Sequence, residues 1–194
     1  MSPGPQAPQA ASEEVETQWF GAVLALGAWT MFFAALVFTT GYLRLREPWP
    51  LAGALVPPLF PLSLGLLSLT GGSVLMHTAH GRLRQLPTDR SAPLWSLAGT
   101  LALGVGFLGL QAAVASSLWK AGLRLPSGGA HASSFYGLQA AHVLHAAVGL
   151  MGLARLGVQL ARGAEALQGL RLWTLYWHFV TVTGLLFFAA VSLP

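Results

Sequence analysis

The sequence predicts an all-α integral membrane protein built as one bundle of five transmembrane helices. Three observations carry this. Five apolar runs are each long enough to cross a bilayer, which takes about 20 mostly apolar residues. The six acids, Glu13, Glu14, Glu16, Glu47, Asp89 and Glu165, all fall near the N-terminus or at joints between runs. Only 8% of the 194 residues are charged, against about 25% in soluble domains. One membrane domain is expected over 18–194, because the spans and their short joints use nearly all of that length.

Residues 1–17 are rich in Pro, Ala, Gln and Ser. They lack a basic start and an apolar stretch, so they read as a disordered tail rather than a cleavable signal. The first span runs about 19–43, with Trp19 and Tyr42 as interfacial anchors. Arg44, Arg46, Glu47, Pro48 and Pro50 end it. The second runs about 58–80. Pro57, Pro58 and Pro61 suit its start, where a missing N–H does no harm. Gly71 and Gly72 lie mid-span and permit a bend or a close helix contact.

Arg82, Arg84, Pro87, Asp89 and Arg90 form the next joint, and the third span runs about 93–119. Its Ala98, Ala102 and Gly106 make a small-residue stripe that lets another helix approach. The polar, Gly-rich stretch from Lys120 to Ser134 reads as an exposed loop. The fourth span runs about 135–160, Arg162, Glu165 and Arg171 frame a joint, and the fifth runs about 172–191.

Arg82, Arg84, Arg90, Arg155, Arg162 and Arg171 fall on the side of the N-terminus. Arg44, Arg46, Lys120 and Arg124 fall on the other. This bias places the N-terminus in the cytoplasm and the C-terminus outside. The pI near 10.4 comes from these scattered cations at span ends, which suit lipid headgroups. No basic stretch of the nucleic-acid type exists. The absence of cysteine excludes disulfides, thiolate metal sites and c-type haem attachment.

The candidate site residues are what remains in the spans. His142 and His145 share a helix face, with Gln139 one turn earlier. They suit metal or haem ligation, a proton relay, or neutral imidazoles hydrogen-bonded to a neighbouring helix. The last reading is favoured, because a metal site wants a third ligand and carboxylates to orient the rings. His77 and His80 repeat the spacing at the end of the second span, beside Arg82, where a solvated interfacial position is the simpler account. His178 lies in Tyr176-Trp177-His178-Phe179, a stretch suited either to interfacial anchoring or to a lipid headgroup. The cluster Met31-Phe32-Phe33 reads as packing or lipid-facing surface. Ser127-Gly128-Gly129 is a turn without the Lys of a phosphate loop.

Several segments together resemble subunit III of the haem–copper cytochrome c oxidases, in its shorter five-span bacterial form. They are Phe107–Ala112 (F-L-G-L-Q-A), Gly122–Tyr136 (G-L-R-L-P-S-G-G-A-H-A-S-S-F-Y), His142–His145 followed by Gly149, and Tyr176–Val180 (Y-W-H-F-V). Met31–Phe33 and Tyr42–Arg44 recur in the right order in the first half. The resemblance covers nearly the whole chain after the tail. It implies a V-shaped helical bundle docked beside the catalytic subunit I and other oxidase subunits, in the bacterial inner membrane. It implies no haem or copper in this chain, both being expected in the partner. It also implies bound phospholipid, with His142, His145, Trp177 and His178 near the lipid cleft, and support for sustained turnover, proton uptake and oxygen access.

The chain departs from the family pattern at its intramembrane acids. Trp29 stands at the usual glutamate before Met-Phe-Phe, Ala113, Val114 and Ala115 occupy the stretch that holds an acid after Gln-Ala, and Thr181 stands at the usual aspartate. Losing the set weighs against proton handling here and leaves lipid binding and scaffolding. The alternatives are a subunit III-like partner of another respiratory complex, such as a nitric oxide reductase, and a self-contained b-type haem carrier using His77, His80, His142 and His145. The carrier is disfavoured by depth: the two pairs fall about 15 Å apart along parallel helices at about 1.5 Å per residue. A transporter would want buried ionisable groups near the midplane, and the spans hold no acid.

Overall fold

The computed structural model describes residues 6–46, 55–85, 91–164 and 167–192, with side chains from residue 16 onward. Glu47, Pro48, Pro50, Pro87, Asp89, Arg90 and Glu165, expected at the joints, lie outside the described residues, as does the start of the N-terminal segment.

Five helices follow in order: α1 (Gln6–Arg46), α2 (Leu59–Gln85), α3 (Ser91–Ala121), α4 (Gly129–Ala161) and α5 (Leu167–Ser192). Each contains a stretch long and apolar enough to cross a membrane, and in α1 that stretch is Glu16–Arg46. Helices satisfy every backbone group locally, which is why apolar runs of this length fold this way in lipid. Their hydroxyls follow the same rule. Thr30, Thr39, Ser68 and Thr70 each donate to the carbonyl one turn back, at 2.8 to 3.0 Å.

The fourth helix starts earlier than expected. The segment read as a loop from Lys120 to Ser134 is helical from Gly129 onward, so the connection is short. Gly122, at φ +112°, ends α3 in the left-handed region. Its N–H bonds Trp119 O at 3.3 Å and that of Leu123 bonds Leu118 O at 3.0 Å. This pair of reversed bonds caps the helix and needs a residue without Cβ. Gly163, at φ +86°, closes α4 in the same way. Tyr136 then ties the connection down, its hydroxyl donating to Leu123 O at 2.8 Å.

The helices α2, α3, α4 and α5 form a ring in which each touches the next and α5 returns to α2. Within the described residues the backbones of the diagonal pairs, α2 with α4 and α3 with α5, stay apart, and only side chains meet across the ring. The fifth member, α1, lies outside the ring against α4 and α5 and stays apart from α2 and α3. Most of α1 is exposed, and Phe33 and Thr40 are its buried residues among those described.

The ring closes around Trp177 of α5, which is 0% exposed. Glycines from three other helices make room for it. A Cβ on Gly72 (α2) would stand 2.7 Å from its Nε1, one on Gly104 (α3) 2.9 Å from its Cη2, and one on Gly149 (α4) 3.4 Å from its Cζ3. Gly71 and Gly72 thus serve helix approach, in an α2 that runs unbroken from Leu59 to Gln85. Leu69, Met76, Leu97, Phe107, Leu150 and Val180 complete this core.

The stripe Ala98, Ala102 and Gly106 does not join the ring. All three are exposed, and α3 turns Leu97, Thr100, Gly104, Phe107 and Gln111 inward instead. Residues one position apart on a helix are rotated by about 100°, so only one of the two faces can look inward.

Candidate functional site

Polar side chains hold the ring together by bonding backbone carbonyls of neighbouring helices. Thr100, Thr174 and Thr181 donate mainly to the carbonyl one turn back in their own helices, at 2.7 to 3.0 Å, and also lie 3.3 to 3.4 Å from Gly72 O, Met76 O and Leu69 O of the neighbouring helix. Gln139 donates to Gln111 O at 2.8 Å. Interhelical bonds of this kind average about 0.6 kcal/mol in membrane proteins. Thr181, at a position where the resemblance implies an acid, therefore sits against the α2 backbone with its hydroxyl bonded within α5.

Gln139, His142 and His145 fan across the inner face of α4. A step of three residues turns the helix by about −60°, so each addresses a different neighbour. Gln139 reaches α3. His142, 1% exposed, points into the ring, with its Nδ1 at 3.4 Å from the Thr183 hydroxyl of α5. The Phe107 ring meets it edge-on at 5.4 Å and the Phe187 ring lies parallel at 6.3 Å.

His145, 0% exposed, faces α5 and α1. Tyr176 stacks on it, with centroids 4.7 Å apart and planes at 16°. Trp29, Phe33 and Phe179 present edges at 4.6, 5.6 and 5.3 Å. The Tyr176 hydroxyl donates to the His145 carbonyl at 2.9 Å. Trp29, where the resemblance implies a glutamate, is thus a ring packed against this imidazole. A neutral imidazole in an aromatic box gains packing without a charge to solvate.

His178 faces α2. Its Nδ1 is hydrogen-bonded to the Ser73 hydroxyl, and the His77 ring lies 6.1 Å away. His178 is half-buried and His77 exposed. Nearer the membrane surface, His80, Arg84, Gln168 and Arg171 line an open pocket of about 550 Å³. Arg171 also stacks over the Trp19 ring at 4.4 Å.

The four residues singled out as a lipid site do not share one surface. Trp177, His142 and His145 are sealed inside the chain, and His178 alone is open to contact from outside. The aromatic stretch around it is not a belt. Tyr176 faces α4, Trp177 the ring centre, His178 α2 and Phe179 α1. Successive residues on a helix point about 100° apart, so four in a row face all sides.

The histidine pairs of α2 and α4 do not converge either, because those helices lie across the ring from each other. Among the described residues no three His, Cys, Asp or Glu side chains come together as metal ligands. Phe33, Tyr176 and Thr183 escaped notice as neighbours of the histidines. Phe33 and Tyr176 carried the signal of lying in the motifs Met31–Phe33 and Tyr176–Val180, whereas nothing in the sequence marks Thr183.

No protein-family model matches the chain. Curated relatives do. A protein described as cytochrome c oxidase subunit 3 from Bacillus sp. (strain PS3) is 32% identical over 200 residues, covering 97% of this chain and 92% of its own length. The chain belongs to the cytochrome c oxidase subunit 3 family. A second member, from Bacillus subtilis (strain 168), is 30% identical over 209 residues with the same coverage. As a subunit 3 family protein the chain is a multi-pass membrane protein, in keeping with its five apolar helices.

Proposed function

We propose that the chain is the accessory, non-redox subunit III of a bacterial haem–copper terminal oxidase, docked on the catalytic subunit I and binding phospholipid in support of its turnover. The observation that carries this reading is likeness to oxidase subunit 3 over 97% of the chain, joined to an interior whose histidines pack against rings and hydroxyls. Haem and copper belong to the partner. In this reading the chain lies in the inner membrane, with Arg82, Arg84, Arg155, Arg162 and Arg171 at the cytoplasmic end and the C-terminus outside.

Two surfaces support the roles. For docking, the exposed stripe Ala98, Ala102 and Gly106 offers a partner helix close backbone approach. For lipid, the pocket of His80, Arg84 and Arg171 suits an anionic headgroup. His178 lies about 10 Å deeper than Arg171 at about 1.5 Å per residue, so an acyl chain descending the α2–α5 seam passes His77 and His178. Trp177 backs that seam from inside, against Gly72, whereas His145 packs toward α5 and α1.

Affinity purification of the tagged full chain from its native membrane tests the proposal. A haem-containing catalytic subunit should accompany it, and the chain stripped of partners should show no Soret band. Stoichiometric haem on the lone polypeptide would reverse the reading.

A further inference from the structure

The centre of the ring holds two buried acceptors on side chains that line one small space. Nε2 of His142 and Oε1 of Gln111 are both shut off from the surface and lack a hydrogen-bond partner within the described chain. His142 is 1% exposed and Gln111 4%. Both side chains line a cavity of about 10 Å³, whose remaining walls, among them Leu69, Phe107 and Phe187, are apolar. Gly184 keeps that cavity open, since a Cβ there would stand 3.0 Å from Nε2 of His142.

The neighbours of His142 bear on which ring nitrogen carries its proton. Thr183 has one hydroxyl hydrogen, and it is directed at the carbonyls of Phe179 and Val180, each 3.0 Å away. Toward Nδ1 of His142, at 3.4 Å, the hydroxyl can only accept. In that arrangement Nδ1 carries the proton and Nε2 offers a lone pair to the cavity. Two acceptors across a small space call for a donor with two hydrogens, and a space of this size admits about one water molecule.

We propose that a single water is bound in this cavity, donating one hydrogen to Nε2 of His142 and the other to Oε1 of Gln111. It joins α3 to α4, and through Nδ1 and Thr183 the chain of bonds continues to α5. The ring is thereby pinned at mid-depth by a polar link that uses no charge. Leaving either acceptor bare would cost its desolvation, whereas holding one water costs little.

Magic-angle-spinning NMR of the full-length chain, uniformly labelled with ¹³C and ¹⁵N and embedded in phospholipid bilayers, reads this directly. Sequential backbone connectivity assigns His142. The expected result is a protonated Nδ1, an unprotonated hydrogen-bonded Nε2, and magnetisation transfer to that nitrogen from water protons. Gln111→Leu should abolish the transfer and move Nε2 toward the position of a free lone pair. A protonated Nε2 in the wild-type chain, or an Nε2 that receives nothing from water, would overturn the proposal. The wild-type spectrum decides it even where Gln111→Leu does not fold.

Discussion

The Trp177 indole lies so close to the backbone of Gly72 that a methyl group there would stand 2.7 Å from its Nε1. That contact sets the distance between α5 and α2. Overpacking a tight interior costs about 1–3 kcal/mol, so Gly72→Ala should destabilise the bundle by that amount. Gly104→Ala should do likewise. Gly27→Ala, with no atom within 4 Å of the added carbon, should not. Unfolding in mixed micelles, followed by loss of helix signal, measures all three.

Removing the ring itself tests the same centre from the other side. Trp177→Ala should cost about 3–5 kcal/mol, as expected for deleting a fully buried aromatic. Equal stability of this variant and the wild type would mean that the ring is not closed around Trp177.

Ser73 and His178 join α2 to α5 by a side-chain hydrogen bond. Ser73→Ala should lower stability by about 0.6 kcal/mol, and by no more than about 1.7 kcal/mol. A double-mutant cycle with His178→Ala isolates the coupling, and additive losses would show that the pair does not interact.

His145 fills a box made by Trp29, Phe33, Tyr176 and Phe179. His145→Ala should destabilise the chain by about 2–5 kcal/mol, comparable to other large buried truncations. The haem spectrum of the purified complex, normalised to the catalytic subunit, should stay unchanged. A shifted Soret or α band would show that the imidazole reaches the haem environment.

Ala102 and Gly106 face outward on α3. Ala102→Leu with Gly106→Leu should leave the isolated fold within about 0.5 kcal/mol of wild type. Recovery of the catalytic subunit with the tagged chain should fall at least about tenfold, which corresponds to about 1.4 kcal/mol. Undiminished recovery would move the docking face elsewhere.

The sequence by itself determined the five helices and the family. Both are local: each backbone bond in a membrane helix closes within its own run, and motifs such as His142–His145 are contiguous. The sequence also marked Gly72 and Gly149 as positions of interest. What it did not determine was which side of each helix looks inward. In water, an apolar stripe betrays the buried face. In a bilayer the tails are as apolar as leucine, so core and lipid faces read alike. Ala98, Ala102 and Gly106 therefore looked like a packing stripe, while the helix turned Gly104 inward and left them outside. For the same reason Trp177 read as an interfacial anchor. Only the tertiary structure, by bringing three glycines from three helices around one indole, placed it at the centre.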